Sequence, residues 1–455
     1  MENSLKYIEE NKKRYLEELF ELLSIPSISA LAEHAADTRK AAEWLRSHLE
    51  RIRMENCKIM ETKGHPVVYA DYIKDSTKPT VLIYGHYDVQ SPDPLEDWES
   101  EPFEPTTRDG NIYARGVADD KGQLFTHLKA LEAIMQTSGN LPVNVKFLFE
   151  GEEEVGSENL DEFIKENIEL LRADVCLISD SHALSETQPM MEYGLRGIIY
   201  MQLDLSTMPK DVHSGTYGGN VPNANFELVK ILNKLKNLDT QEVLVPRFYE
   251  SVRSIEETEK LDLQNSKITD ETILEETGAK EIIGVDGFSV AEREGARPTL
   301  DINGMHGGYT GEGPKTIIPA KASAKVSMRL VPNQTVAEIT EKFTSYVKSL
   351  VPSYVNLEIK SLSSGEPLLM GKENEFFKKA ETAFEQTFGN KPVYELAGGS
   401  IPITATLKTL LGIDSILMGF GLPDDGLHSP NEKLSVEMFY KGIKTSLLFF
   451  ESFRK

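Results

Sequence analysis

The chain up to residue 180 alternates short apolar, β-branched segments with segments whose apolar residues recur at helical spacing. Buried strands are predicted for KPTVLIYGHYDV (78–89), LPVNVKFLFEGEEE (141–154) and ADVCLISD (173–180). Helices are predicted between them, at 119–138 and 161–171. Strands separated by helices indicate an α/β fold, a mostly parallel sheet flanked by helices.

The pattern changes near Tyr193, where half-exposed strands alternate with helices. The strands are predicted at 197–207, 321–332 and 354–364, and the helices at 223–238 and 335–350. This order is typical of a smaller α+β unit with an antiparallel sheet. The α/β pattern resumes with a helix at 374–388. We therefore predict a domain formed by residues 1–192 and 367–455, with a second domain, 193–366, inserted into it.

The composition of the chain limits which binding partners and which cell compartment we expect. The 455 residues include 49 Lys and Arg against 73 Asp and Glu, a formal charge of -24, which disfavours nucleic acid and anionic membranes. No apolar stretch approaches the ~20 residues of a membrane span, and the charged N-terminal segment lacks the apolar core of a secretory signal. Two cysteines cannot form a disulfide framework, so we expect a cytoplasmic protein.

Acidic residues and a histidine follow the predicted strands. His86-Tyr87-Asp88 ends the first strand, Glu150 to Glu154 end the second, and Asp180 ends the third. Open α/β sheets bind ligands at the carboxyl ends of their strands. One imidazole beside several carboxylates suits Zn, Mn or Co. The pattern predicts a metal site at this edge of the sheet.

Two further motifs are ambiguous when each is considered alone. Asp119-Asp120 opens a predicted helix, where an aspartate commonly serves as a cap, yet the second carboxylate leaves one free for a metal. His428 lies in the loop PDDGLHSPNE, where a histidine is usually just exposed. His127 falls on the polar side of its predicted helix, and we assign it no role.

Taken together, the motifs resemble those of one enzyme family. GHYDV, ARGVADDKG, EGEEEVGSENL, Ser179-Asp180, DVHSGTYGG, GGSIP and DDGLHSPNE occur in the order found in dinuclear metallopeptidases. That family includes cytosolic carnosinase-like dipeptidases, glutamate carboxypeptidase and acetylornithine deacetylase, and the spacing resembles the carnosinase-like branch most. The resemblance implies metal-dependent hydrolysis of dipeptides or small peptides with two divalent ions, zinc first and manganese or cobalt as alternatives. It also implies that the insert is a ferredoxin-like lid that supports a homodimer.

The resemblance assigns roles to residues of the main domain. Asp119 is implied to bridge both metals, with a cis peptide bond after it. The resemblance implies His86 and Asp180 as ligands of one metal and Glu154 and His428 as ligands of the other. Asp88 is implied to orient His86, and Glu153 to act as the general base.

The resemblance also assigns residues that contact the substrate, but the sequence departs from the family pattern at two places. It implies that His213 holds the oxyanion, that Arg329 and Thr316 bind the substrate carboxylate, and that Gly399 and Ser400 contact the substrate. Leu396-Ala397 stand where carnosinase-like members have Arg-Glu, and the segment 363–366 lacks an expected histidine. N-acyl amino acid deacylation therefore stays open as an alternative. A non-catalytic binding protein is disfavoured because Glu153, Asp119 and His428 are all present.

Overall fold

The computed structural model describes residues 1–266, 268–399 and 401–454. Contacts divide the chain into two compact units. The first contains Met1–Tyr193, Met370–Tyr394 and Thr406–Lys455, and the second contains Gly194–Leu369 and Glu395–Ala405. The domain boundaries given above stay predictions.

The helices of the described residues are α1 (Glu2–Leu23), α2 (Ala35–Arg51), α3 (Lys121–Ser138), α4 (Leu160–Glu166), α5 (Ile168–Leu171), α6 (Ser214–Tyr217), α7 (Ala224–Leu232), α8 (Glu257–Asn265), α9 (Asp270–Thr277), α10 (Val290–Ala296), α11 (Val336–Leu350), α12 (Glu375–Phe388), α13 (Pro402–Leu411) and α14 (Val436–Glu451). The strands are β1 (Glu55–Met60), β2 (Val67–Tyr72), β3 (Thr80–His86), β4 (Thr106–Arg108), β5 (Asn111–Tyr113), β6 (Asn144–Glu150), β7 (Val175–Ile178), β8 (Met190–Leu195), β9 (Gly197–Ser206), β10 (Val212–His213), β11 (Thr299–Gly307), β12 (Ile317–Ile318), β13 (Lys321–Leu330), β14 (Asn356–Gly365), β15 (Leu368–Leu369), β16 (Val393–Ala397), β17 (Asp414–Leu417) and β18 (Lys433–Ser435). None of the described helices is both long enough and apolar enough to cross a membrane.

The first unit is built on a sheet with the strand order β1-β2-β6-β3-β7-β17. Strand β3 runs parallel to β6 and β7, and β17 runs parallel to β7, whereas β1 and β2 are antiparallel additions at one edge. The predicted α/β fold with a mostly parallel sheet is confirmed. Because β3 and β6 are parallel, His86 pairs with Glu150 at the carboxyl end of both strands.

Helix α3 is buried along its first four turns, from Lys121 to Met135. It contacts α1 and α14 in addition to the sheet, so no face of the helix is exposed to solvent over this length. His127 is consequently fully buried, and the prediction that it lies on a polar side is wrong. Its Nδ1 lies 2.9 Å from Ser446 Oγ and its Nε2 lies 2.8 Å from Ser179 Oγ, so the imidazole joins α3 to α14 and to the end of β7.

The second unit contains an antiparallel sheet with the strand order β11-β13-β9-β14. Along β9 buried and half-buried residues alternate, which confirms the pattern that predicted this strand. The buried set packs against α7 and α11, with Leu203, Leu228 and Phe343 in one apolar cluster. This α+β architecture is the one predicted for the inserted segment.

Candidate metal centre

Two strand ends and the start of one helix of the first unit bring acidic and histidine side chains to one place. His86 ends β3, Asp180 follows β7, and Asp119 precedes α3. The Nε2 atom of His86 lies 3.0 Å from Asp119 Oδ1 and 4.0 Å from Asp180 Oδ2. Ligand atoms of these three residues all lie within 4.8 Å of one another, close enough to hold one ion.

A second group shares Asp119 with the first. His428 Nε2 lies 2.9 Å from Asp119 Oδ2 and 3.3 Å from Glu154 Oε2. The two oxygens of Asp119 therefore face different histidines, which is the arrangement that a carboxylate bridging two ions requires. The peptide bond between Asp119 and Asp120 is cis. Asp120 occupies the N-cap position of α3, as an aspartate there predicts, but its side chain makes no cap hydrogen bond.

The residues that hold the ligands in place follow the same strand ends. Asp88 accepts hydrogen bonds from the backbone N–H groups of Glu153, at 3.3 Å, and Glu154, at 3.1 Å. Asp88 Oδ1 also lies 3.4 Å from Nδ1 of His86, the ring nitrogen on the side away from Asp119. One carboxylate thus connects the β3 end to the loop after β6, which orients a histidine ligand and the two glutamates together.

Sequence reasoning missed Gln90. Its Nε2 donates to Glu154 Oε2 at 2.9 Å and to the backbone oxygen of Glu154 at 3.2 Å. The two-residue period that relates His86 to Asp88 extends to Gln90, so continuing the strand pattern beyond β3 predicts this contact. The amide of Gln90 thus holds the same oxygen of Glu154 that lies 3.3 Å from His428 Nε2.

The side chains of the centre have shifted pKa values. Burial, reinforced by the charge of Asp119, raises the pKa of Asp180 to about 8, and burial likewise raises the pKa of Glu153. Burial opposes ionisation of Asp119, yet hydrogen bonds from His428 and His86 hold its pKa below the usual range. Hydrogen bonds to Asp119 and Glu154 raise the pKa of His428 to about 10. Carboxylates outnumber imidazoles here, so the cluster stabilises positive charge placed within it.

The donor set fits divalent metal ions. Each group offers one imidazole nitrogen and carboxylate oxygens, a combination that suits Zn, Mn or Co. A further group, Glu18, His48 and Glu132, differs because the ammonium of Lys129 already lies among its ligand atoms. Lys129 Nζ contacts Glu18, and it lies 3.0 Å from His48 Nε2 and 2.8 Å from Glu132 Oε2. The ammonium of Lys129 therefore already supplies the positive charge of that cluster.

Two of the predicted substrate residues lie together in the second unit. His213 ends β10, which pairs with β12, and the backbone oxygen of Thr316 accepts a hydrogen bond from Ser214 at 3.0 Å. The Nδ1 atom of His213 accepts a hydrogen bond from the backbone of Gly215 at 3.0 Å. This bond fixes the tautomer, so Nε2 of the exposed imidazole carries the proton and is a donor.

Arg329 and the glycine loop form another cluster of the second unit. Arg329 lies on β13 opposite Ile198 of β9. Desolvation, followed by the charge of Arg329, lowers the pKa of the half-buried Arg196 to about 10. Arg196 donates from Nε to Gly398 O at 3.0 Å and from its backbone to Gly399 O at 3.2 Å. Sequence reasoning missed Arg196, whose contacts depend on chain folding. Ser400 lies outside the described residues.

Comparison with known proteins places the chain in a family. Residues 82–452 match the family described as Peptidase family M20/M25/M40. The chain belongs to this family, and it is accordingly a metal-dependent hydrolase of amide bonds.

Similar proteins cover nearly the whole chain. It is 34% identical over 453 residues to the Cys-Gly metallodipeptidase dug1 of Schizosaccharomyces pombe, spanning 96% of this chain and 95% of that one. It is 31% identical over 399 residues to the Beta-Ala-His dipeptidase of Homo sapiens, spanning 85% and 77%. The crystal structure of an M20 family metallo-carboxypeptidase, Sso-CP2 from Sulfolobus solfataricus, matches with a TM-score of 0.85 at 32% identity, covering 97% and 99%.

Proposed function

We propose that this protein hydrolyses the peptide bond of dipeptides with two divalent metal ions per chain, zinc first and manganese or cobalt as alternatives. The observation that carries the proposal is the position of Asp119. Its Oδ1 and Oδ2 lie 3.0 and 2.9 Å from the imidazoles of His86 and His428. Asp180 would complete the ligands of one ion with His86, and Glu154 those of the other with His428. Ions held there would supply a lowered pKa for a bound water molecule and would polarise the substrate carbonyl.

Glu153 is the candidate general base. It lies in the turn after β6, next to the ligand Glu154, and Asp88 fixes its backbone. Burial and the charges of Asp119, Glu154 and Asp88 raise its pKa, whereas the imidazole of His86 lowers it. A raised proton affinity suits a carboxylate that accepts a proton from water and then delivers it to the leaving nitrogen.

The second unit would supply the remaining positive groups. His213 presents an N–H donor on an exposed imidazole, which suits stabilisation of the oxyanion. Arg329 offers a planar fork of donors that matches a carboxylate, and Thr316, Gly399 and Ser400 are the companion contacts. We further propose that this unit is a lid and that it mediates a homodimer. Exposed apolar residues such as Phe226, at 74%, and Met305, at 55%, support an interface there.

The names of the relatives support peptide substrates over N-acyl amino acids. Cys-Gly and Beta-Ala-His both carry a free amino group and a free carboxylate. Leu396 and Ala397 stand where the resemblance places a glutamate near the substrate amino group. This chain must therefore bind that amino group through other residues. A cytoplasmic location is part of the proposal, because both cysteines are free thiols and Cys176 is buried.

A substrate panel tests the proposal. We expect the metal-loaded protein to cleave neutral dipeptides, Cys-Gly and a β-alanyl dipeptide, and to leave N-acetyl amino acids intact. A tripeptide belongs in the panel because one structural neighbour is named a carboxypeptidase. Release of free amino acids, followed by chromatography, is the measurement, and a Glu153→Gln preparation controls for contaminating peptidases. Cleavage confined to N-acetyl amino acids would make the protein a deacylase and contradict the proposal.

A further inference from the structure

Glu432 is a buried carboxylate that follows the loop containing His428. None of its surface is exposed to solvent. It directly precedes β18, which pairs with β5, and its backbone oxygen accepts a hydrogen bond from Ala114 at 3.2 Å. Glu432 therefore lies where the loop of His428 meets the segment that leads to Asp119.

Both oxygens of the Glu432 carboxylate bind that segment. Oε2 accepts hydrogen bonds at 2.8 Å from Nη1 of Arg115 and at 2.8 Å from the backbone of Gly116. Oε1 accepts hydrogen bonds at 2.8 Å from the backbone of Ala118 and at 3.1 Å from the backbone of Asp119. Four N–H donors thus converge on one carboxylate, and the last belongs to the residue whose side chain faces both histidines.

The backbone conformation explains why these N–H groups converge. Gly116 has a φ of 82°, in the left-handed region, and a Cβ built there would lie 2.4 Å from Val89 Cγ1. The chain turns at this glycine, and the following N–H groups point inward to form a concave anion site. The carboxylate of Glu432 occupies that site, and the buried guanidinium of Arg115 balances its charge.

We propose that Glu432 is a positioning residue for the metal centre. By binding the backbone at Gly116, Ala118 and Asp119, it fixes the direction in which the Asp119 carboxylate leaves the chain. The same carboxylate holds that segment beside β18, the strand that follows His428. The distance between the loop of Asp119 and the loop of His428 is therefore fixed. The inference rests on the proposed function, because Glu432 positions a metal ligand only if Asp119 is the ligand that the two ions share.

The test is a Co²⁺ titration of chelator-stripped protein, followed by visible absorption. Glu432→Gln keeps the volume of the side chain but sets an NH₂ group against the converging N–H donors. We expect its affinity for Co²⁺ to fall about 10- to 100-fold, the range typical of residues that support metal ligands. The absorption spectrum should also change, because the shared ligand is displaced.

Glu259→Gln is the matched control. Glu259 is a buried carboxylate of the second unit that binds Arg253 through both oxygens and accepts the backbone N–H of Glu256 at 3.0 Å. Its replacement should lower thermal stability without changing Co²⁺ affinity or spectrum. Arg115→Lys is measured alongside because it leaves the three backbone bonds to Glu432 in place, and a several-fold weaker affinity is expected.

Wild-type affinity and spectrum in Glu432→Gln would overturn the inference. The titration separates this failure from failure of the proposed function. A wild-type protein that binds two Co²⁺ ions upholds the metal centre even when the variants match it. If the wild-type protein bound no Co²⁺, the proposed function would be wrong and the inference would fall with it.

Discussion

Glu153→Gln is expected to lower kcat for dipeptide hydrolysis by about 10²- to 10⁴-fold, the contribution typical of a positioned general base. Glutamine keeps the shape of the side chain but cannot accept the proton of the attacking water. The ligands are separate residues, so the metal content should equal that of the wild-type protein. Initial rates at saturating dipeptide, together with metal analysis of the same samples, measure both quantities.

Glu152→Gln is the control for this experiment. Glu152 is the adjacent residue in the same turn, but its carboxylate is bound by the side-chain amide of Asn159, with both oxygens at 3.0 Å. Its replacement removes the same charge at nearly the same place and should leave kcat within a few-fold of wild type. Near-full activity of Glu153→Gln would show that another group is the base.

Asp119→Asn should abolish turnover and weaken metal binding at both positions. Each oxygen of Asp119 faces a different histidine, at 3.0 Å for His86 and 2.9 Å for His428. The substitution replaces one oxygen with an NH₂ group, which cannot be a ligand, and it removes the charge that both ions would share. We expect metal affinity to fall more than about 100-fold, beyond the range for residues that only support a ligand. Calorimetric titration with Zn²⁺ measures the loss.

The control for Asp119→Asn is Asp424→Asn. Asp424 lies in the stretch that leads to His428, and its carboxylate bonds the ammonium of Lys433 at 2.7 Å on the surface. Removing this charge should change neither metal affinity nor rate. Retention of two tightly bound ions by Asp119→Asn would contradict its bridging role.

Local patterns predicted the parts of the molecule that depend on strand and helix periodicity. Strand β3 was predicted at 78–89 and spans Thr80–His86, and α3 was predicted at 119–138 and spans Lys121–Ser138. The parallel arrangement of β3, β6 and β7 explains why residues distant in sequence gather at one edge. The structure brings the five predicted ligands into two groups that share Asp119, and the roles of those residues stay predictions.

What the patterns missed depends on contacts between distant segments. His127 was predicted on a polar face, but α3 contacts α14 from the far end of the chain, and the imidazole bonds Ser446. Glu432 lies more than 300 residues from the amides that it binds. No local pattern predicts the contacts of Arg196 either, because it donates hydrogen bonds to the distant carbonyl groups of Gly398 and Gly399. A single sequence read by local periodicity carries no information about such pairs.

The most direct test of the central claim is the number of metal ions needed to restore dipeptide hydrolysis to chelator-stripped protein. We predict no hydrolysis without metal and activity that rises until two equivalents per chain are bound, because the two ligand groups share Asp119. Full hydrolysis by the metal-free protein would contradict the account. So would full activity with one ion per chain and no binding of a second.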